Sequence, residues 1–209
     1  GGVPAEESGF RIVNTDTSGQ TAIANIGLME LSGSKIWKDN SDAYDTRPGE
    51  ITLTLYRSIS GGDEERVDAS PEWEKAGDVW TYKYTGLPKT DDDGNAYTYR
   101  VKETLPEGYT SSQDGSDITN TLTGTVDIPV TKVWIDGSDA DGLRPDTVTV
   151  ALYANGTEVR RKKISAGNIL SRLWRSITGG QNIWSYTFED LPKYDSEGCL
   201  IEYTVQELD

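Results

Sequence analysis

The chain of 209 residues contains no histidine and only one cysteine. Without histidine it lacks the commonest general base and the commonest ligand of transition metals, so neither a hydrolase triad nor a zinc site is expected. Because Cys199 is alone, an internal disulfide and a multi-cysteine metal site are also excluded. We therefore predict no cofactor, no metal site and no enzyme that acts on external substrates.

Basic residues and long apolar runs are scarce as well. The 20 basic residues face 35 acidic ones, for a net charge of -15. This charge disfavours binding to nucleic acid and to anionic membrane surfaces, whose phosphates would be repelled. No apolar run reaches 18 residues, so we predict no membrane insertion of this stretch. The first residues lack the features of a signal peptide, and we expect a mature or internal piece of a protein.

Aromatic residues compensate for the low hydrophobic content. Six Trp and eleven Tyr accompany a hydrophobic fraction of 34% and a mean hydropathy of -0.59. Short runs that alternate apolar with polar residues are separated by Gly, Asp, Asn and Pro, a pattern typical of antiparallel strands. No segment has the pattern of a long helix. The sequence therefore predicts an all-β protein built from β-sandwiches.

An internal repeat divides the chain. The segment Gly33-Ser-Lys-Ile-Trp37 matches Val130-Thr-Lys-Val-Trp134, and 46–56 matches 143–153, at an offset of 97 residues in both cases. Farther along, 79–89 matches 183–193 at an offset of 104, so the second copy carries seven extra residues. We predict an N-terminal strand and linker at 1–27, a first domain at 28–123 and a second domain at 124–209.

Several polar side chains fall where alternation directs residues toward the core. Lys35 and Lys132 are each in register with apolar neighbours, Glu103 is in register with Val101, and Asn120 lies between Ile118 and Leu122. Buried charges and amides are costly unless they contact one another. One interpretation is structural, with lysines that reach the rim or form buried ion pairs. The recurrence of the pattern in two copies favours a second interpretation, a reaction within the core.

The chemistry of that reaction follows from burial. An apolar site favours the neutral amine of lysine and the protonated acid of glutamate, and a proton can pass between them. The neutral amine is a nucleophile, and a carboxamide carbon becomes electrophilic when its oxygen accepts a hydrogen bond from an acid. Folding holds the two together at a high effective concentration. We predict an amide between Lys35 and Asn120, formed with release of ammonia and promoted by Glu103.

The same residues resemble a known family. The Lys-x-Trp starts, the Arg47-Pro pair, the Leu87-Pro-Lys segment, the stretch from Tyr99 to Tyr109 and the Asp-Ile-Thr-Asn120 strand are similar to the Cna B-type domain. The resemblance implies reverse-immunoglobulin-like β-sandwiches from Gram-positive surface proteins and pilins. It also implies a self-formed isopeptide bond, with Lys35 as nucleophile, Asn120 as acceptor and Glu103 as proton shuttle.

The function implied by the resemblance is a stalk module. Domains of this family present an adhesive tip at the cell surface, so we expect an extracellular protein anchored to the cell wall. Some members bind ligands through extra loops, and the alternative is therefore a ligand-binding adhesin domain. Its partner would be a host matrix protein or a glycan.

The second copy departs from the family pattern. Lys132 and Glu207 match, but no asparagine-bearing strand follows Glu207 before Asp209. The segment 9–15, which contains Asn14, resembles the Asn120 strand, and Glu207 to Asn14 across joined ends would span 16 positions, against 17 from Glu103 to Asn120. We hypothesise that this strand completes the second domain, with Asn14 bonded to Lys132. Donation within one chain and head-to-tail self-association both remain open, as does a leftover strand of another domain.

Two further features have two interpretations each. The acidic segments 91–95 and 136–141 resemble half of a calcium loop, but they lack the downstream glutamate, which favours solvated turns. The insertion at 168–181 has apolar residues at helical spacing. It either packs against its own sandwich or forms a patch for a partner.

Overall fold

A computed structural model of the chain describes residues 10–17, 20–166 and 183–208, with side chains from residue 27 onward. The chain divides into two compact units, Gly1–Leu122 and Thr123–Asp209. All regular elements in the described residues are β-strands, which confirms the all-β prediction of tandem sandwiches. The insertion at 168–181 lies outside the described residues.

The described residues of unit 1 form nine strands in two sheets. They are β1 Phe10–Thr17, β2 Gln20–Lys38, β3 Leu53–Ile59, β4 Glu65–Val67, β5 Glu72–Ala76, β6 Val79–Pro88, β7 Tyr97–Glu103, β8 Tyr109–Asp114 and β9 Asp117–Leu122. The larger sheet has the order β5-β6-β2-β9-β8, with β1 also paired to β2, and the smaller has the order β4-β3-β7. The two sheets supply the two layers of the sandwich.

The long strand β2 makes three different pairings. Its first part, Gln20–Gly27, pairs antiparallel with β1, and Asn14 lies opposite Ile23. Its second part pairs antiparallel with β6. Its last four residues, Lys35 to Lys38, pair in parallel with β9. This parallel pairing brings an early strand and the last strand of unit 1 together.

Strict alternation of side chains builds the core of unit 1. Along β6, the buried residues Trp80, Tyr82 and Tyr84 alternate with less buried ones. Tyr82 and Tyr84 belong to the same core cluster as Leu55 and Val101 from the smaller sheet. Each such side chain contributes about 1.5 to 3 kcal/mol through burial, so the aromatic residues carry much of the core.

Unit 2 repeats the plan with fewer described strands. They are β10 Thr125–Val133, β11 Val148–Ala154, β12 Thr157–Ile164, β13 Ile183–Pro192 and β14 Tyr203–Leu208. One sheet is β10-β13 and the other is β12-β11-β14. Within 123–166 and 183–208, no strand occupies beside β10 the place that β9 has beside β2. Val133, at the end of β10, is 54% exposed.

The acidic segment 91–95 and its counterpart in the second copy, 195–199, form tight turns. Gly94 and Gly198 adopt φ of 85° and 76°, a backbone conformation that glycine takes up without strain. Asp91 Oδ1 accepts hydrogen bonds from the backbone amides of Asp93 and Asn95, and Asp195 forms the same contacts in unit 2. Each leading carboxylate is thus engaged by the backbone of its own turn.

Candidate isopeptide site

Lys35, Glu103 and Asn120 lie together in the core of unit 1. Lys35 Nζ is 3.2 Å from Glu103 Oε1, and Asn120 Nδ2 donates a hydrogen bond to the same oxygen at 3.1 Å. Lys35 and Asn120 are completely buried, and the side chain of Glu103 is 4% exposed. A single carboxylate oxygen therefore contacts both the amine and the carboxamide of the predicted reaction.

The strand register explains this convergence. In the parallel pair of β2 and β9, Lys35 lies opposite Ile118 and Trp37 lies opposite Asn120. Lys35 and Asn120 are therefore diagonal neighbours on adjacent strands, with both side chains in the core. Glu103 comes from β7 in the other sheet, where it pairs with Leu53. The site thus bridges the two layers of the sandwich.

Burial dominates the electrostatics of the site. Desolvation lowers the pKa of Lys35 from 10.5 to about 8, although Glu103 and Asp39 act in the opposite direction. At pH 7, about one Lys35 side chain in ten would then be a neutral amine. The fold therefore supplies a nucleophile that an exposed lysine would not provide at this pH.

Two buried polar atoms of the site lack an aligned hydrogen bond among the described residues. They are Lys35 Nζ and Asn120 Oδ1. Turning the carboxamide by 180° exchanges Nδ2 with Oδ1 and directs the oxygen to Glu103, and a carboxylic acid there would donate to it. The geometry thus permits both hydrogen-bonding states that the predicted reaction needs.

Aromatic rings form one wall of the site. Lys35 Nζ lies 4.5 Å from the centroid of the Trp37 ring. That ring makes edge contacts with Trp80 and Tyr109, at centroid distances of 5.2 and 5.3 Å. These contacts place the amine beside a continuous apolar surface, which accounts for its desolvation.

Sequence analysis missed the ion pair beside this wall. Asp39 is completely buried and accepts hydrogen bonds from Arg47 Nε at 2.9 Å and from Arg47 Nη2 at 2.5 Å. Tyr109 also donates to Asp39, at 3.1 Å. A signal was available, because Asp39 continues the inward register of Lys35 and Trp37. The Arg47-Pro pair contributes to the sequence prediction only through the family resemblance.

The equivalent residues of unit 2 form a more open site. Lys132 Nζ donates to Glu207 Oε1 at 3.0 Å and to Oε2 at 2.8 Å. The two side chains are 23% and 36% exposed. In the described part of unit 2, no asparagine is bonded to this pair. Asn14 lies on β1 in unit 1, opposite Ile23.

Within the described residues, no group of three or more His, Cys, Asp or Glu side chains is placed to hold a metal ion. The same part of the chain contains no helix of the length and apolar character needed to cross a membrane.

Known proteins resemble this chain along most of its length. The profile of the Cna protein B-type domain matches residues 31–121 and again 128–209. The collagen adhesin of Staphylococcus aureus is 35% identical over 217 residues, a match that covers 97% of this chain but only 17% of that protein. This chain therefore corresponds to a small part of that relative.

Solved structures of B repeats are also similar. A crystal structure of two B repeat units of the S. aureus collagen-binding protein shares 30% identity, with a TM-score of 0.44, and covers 95% of this chain and 49% of that one. A single B repeat unit shares 26% identity, with a TM-score of 0.35, and covers 87% of this chain and 86% of that one. Because the family profile matches twice and accounts for most of the sequence, this chain belongs to the Cna B-type domain family and is a tandem pair of structural, non-enzymatic repeats.

Proposed function

We propose that this chain is a stalk module of an extracellular, cell-wall-anchored adhesin or pilus, stabilised by an autocatalytic isopeptide bond between Lys35 and Asn120. The observation that carries the proposal is the buried contact of Lys35 and Asn120 with one oxygen of Glu103. The similarity to B repeats of a staphylococcal collagen adhesin supports the placement at a cell surface.

The reaction proceeds through proton transfers at Glu103. The carboxylate takes a proton from the Lys35 ammonium, and the resulting acid donates a hydrogen bond to Asn120 Oδ1. The neutral Nζ attacks Cγ of Asn120, and a tetrahedral intermediate forms. Glu103 then moves a proton from Nζ to the Asn120 nitrogen, the bond from Cγ to that nitrogen breaks, and ammonia leaves. Each chain reacts once.

The bond would suit a protein under tension. It connects β2 with β9, two neighbouring strands that are far apart in the chain. Residues 35 to 120 would lie in one covalent loop, so pulling on the ends could not extend that part of unit 1 fully. A cross-link over a loop of this length stabilises a fold by about 4 to 5 kcal/mol, because the unfolded chain loses conformational freedom.

Intact mass under denaturing conditions tests the proposal. The bond removes ammonia, so each bond lowers the mass by about 17 Da. Proteolytic mapping should recover a branched peptide that joins Lys35 to Asn120. The Lys35→Ala variant should keep its full calculated mass if the second site does not react. A wild-type chain of unmodified mass would contradict the proposal.

We further propose that an asparagine-bearing strand completes unit 2 and that residues 9–15 supply it. The Lys132 and Glu207 side chains are 23% and 36% exposed, whereas the matching pair in unit 1 is 0% and 4% exposed. Unit 2 thus has the lysine and the glutamate of the site, but among its described residues no strand covers them. The strand β1 pairs with β2 alone within those residues, which leaves its other edge for a second partner.

The product distinguishes the two routes of strand donation. Donation within one chain gives a monomer with a second loss of about 17 Da, and head-to-tail donation gives oligomers that survive boiling in detergent. Asn14→Ala should abolish either product, whereas Asn25→Ala, a matched change in the neighbouring segment, should not. A monomer with one loss only would contradict donation and favour a strand left over from another domain.

Similarity to a collagen adhesin supports one alternative function, binding to a host matrix protein such as collagen or to a glycan. The apolar segment 168–181 would supply the contact. Replacing it with a Gly-Ser linker of equal length and measuring adhesion to collagen-coated surfaces tests this alternative. Unchanged adhesion, or none by the wild-type chain, would contradict it.

A further inference from the structure

A stack of lysine, tryptophan and arginine recurs in both units. In unit 1, Lys35 Nζ and Arg47 Cζ lie 4.5 and 5.4 Å from the centroid of the Trp37 ring. In unit 2, Lys132 Nζ and Arg144 Cζ lie 4.3 and 5.1 Å from the centroid of Trp134. The same ring therefore contacts both the reactive lysine and an arginine in each copy, at nearly equal distances.

An aspartate holds the arginine in both copies. Arg47 forms a two-pronged ion pair with the buried Asp39, and Arg144 forms one with Asp136, including a 2.9 Å bond from Nε. A guanidinium bound in this way has a fixed plane as well as a fixed position. In unit 1, lysine, tryptophan and aspartate follow one another at alternate positions of one segment, and the arginine comes from the loop that follows.

Further contacts fix Arg47 itself. Asp42 Oδ1 accepts hydrogen bonds from the amides of Thr46 and Arg47, both at 2.9 Å. The guanidinium also donates to Asp78 Oδ1 at 2.6 Å and to the carbonyl of Gly77 at 2.8 Å. Arg47 thus ties the loop after β2 to the turn between β5 and β6, directly over the Trp37 ring.

Comparison of the units shows that the stack does not depend on the asparagine strand. It is present in unit 2, where Lys132 is 23% exposed and no described strand takes the place of β9. The elements that build it are β2 in unit 1 and β10 in unit 2, each with the loop that follows it. The stack can therefore form before an asparagine-bearing strand arrives.

We propose that Arg47, held by Asp39, is a positioning residue for the isopeptide reaction. It braces the Trp37 ring, and the ring in turn holds the Lys35 amine toward Glu103 and Asn120 and shields it from water. Two carboxylates, Asp39 and Asp78, balance the charge of Arg47, so the role is one of placement. This inference rests on the proposed reaction of Lys35.

The proposal predicts a change in the pH dependence of bond formation. The charges that act on Lys35 are Glu103 from β7 and Asp39, the residue just after β2, while β6 and β9 present the uncharged Trp80 and Ile118 at the positions paired with it. Loss of the brace admits water and moves the pKa of the amine back toward its ordinary value. An ion pair that only stabilises the fold would leave the pH profile unchanged in Arg47→Lys, where Asp39 keeps a cationic partner.

The experiment compares Arg47→Met with Arg57→Met. Arg57 pairs with Glu65 on the same unit but away from Lys35, so it controls for loss of an arginine ion pair. The full chain is made by cell-free translation at several pH values from about 6 to about 9. Samples are quenched in denaturant at intervals, and their intact mass is measured by mass spectrometry. We expect Arg47→Met to form the Lys35–Asn120 bond about 10- to 100-fold more slowly, with the rate rising at higher pH, and Arg57→Met to match wild type.

Each outcome has a defined meaning. Near-ultraviolet circular dichroism checks that Arg47→Met folds, and if it does not, Arg47→Lys, which keeps the charge but not the two-pronged contact, takes its place with the same expected direction. A folded variant with the wild-type rate and pH profile would overturn the inference alone. A wild-type chain that never loses about 17 Da would overturn the proposed function, and the inference with it.

Discussion

At the scale of single residues, the main feature of the site is a buried lysine, whose desolvation costs free energy. Lys35 is completely buried, and its nearest charged group is Glu103. A buried ion pair offsets only part of the desolvation cost of its members. In the proposed reaction the proton that Glu103 takes from Lys35 stays on the carboxyl group when neutral ammonia leaves, so formation of the amide removes both charges from the core. The fold therefore favours the proposed product over the unreacted state.

Removal of Glu103 should destabilise unit 1 even where no bond can form. In an Asn120→Ala background, Glu103→Ala should lower the free energy of unfolding by about 3 kcal/mol, the lower end for a broken buried pair, because Lys35 can lose its proton. Denaturant unfolding measures the change. Glu65→Ala, which removes an exposed partner of Arg57, should cost less than about 1 kcal/mol. Equal effects of the two changes would contradict a stabilising buried ion pair between Lys35 and Glu103.

The stability of the unbonded protein should depend on pH through Lys35. Its pKa is about 8 in the fold and 10.5 ordinarily, so between these values the unfolded chain binds more protons. The contribution of Lys35 to the free energy of unfolding therefore rises with pH in this window, by up to about 1.4 kcal/mol per pH unit. Below about pH 8 the buried lysine is charged, and the free energy of unfolding is lowered by the full cost of burying that charge. The difference between Asn120→Ala and Lys35→Met/Asn120→Ala, measured from about pH 7 to 10, isolates this slope. A flat difference would argue against the lowered pKa.

At the scale of elements, the site depends on the close approach of the chain between β8 and β9 to β2. A side chain at Gly33 would collide with the carbonyl oxygen of Ser116 and come within 2.6 Å of the Tyr82 hydroxyl. That hydroxyl donates a hydrogen bond to the same carbonyl. Gly33 therefore sets the separation between β2 and the start of the strand that carries Asn120.

Gly33→Ala should move β9 away from β2. We expect a loss of about 1 to 3 kcal/mol in the free energy of unfolding, because backbone atoms must shift, and slower loss of ammonia from the displaced Asn120. Gly49→Ala serves as the control, since no atom lies within 4 Å of its added carbon. Thermal unfolding and intact mass give the two measurements. If both variants behave alike, the contact at Gly33 does not position β9.

Sequence reasoning predicted the strands and their inward-facing residues better than it predicted the contacts between distant segments. Alternation alone directed Lys35, Glu103 and Asn120 inward, and the structure brings them together. The pairing of Asp39 with Arg47 was missed, because it depends on how a loop folds back over a strand end. Periodicity describes strands, and it carries no information about irregular segments.

At the scale of the whole molecule, the two units differ in how completely they bury the lysine of the site. The lysine of unit 1 is completely covered, whereas that of unit 2 is 23% exposed. A cross-link in unit 1 would constrain that unit and leave the stability of unit 2 to its own core, centred on residues such as Leu152 and Phe188. The two units should therefore unfold separately.

Calorimetry should resolve this difference as two transitions. Asn120→Ala should lower the stability of one unit by about 4 to 5 kcal/mol, because the covalent loop is lost, and leave the other transition in place. Val150→Ala, in the core of unit 2, identifies that other transition. If Asn120→Ala moved both transitions together, or neither, the proposed bond would not act within unit 1 alone.

The sequence by itself determined the class of the fold, the repeat and the inward direction of the polar side chains, because strand alternation and turn residues act over a few neighbouring positions. Tertiary structure decided that Lys35 and Asn120 contact one oxygen of Glu103, that burial lowers the pKa of Lys35 and that Arg47 lies over the ring of Trp37. These features join residues far apart in the chain, so they depend on the register of two sheets and the path of a loop, which no local pattern encodes.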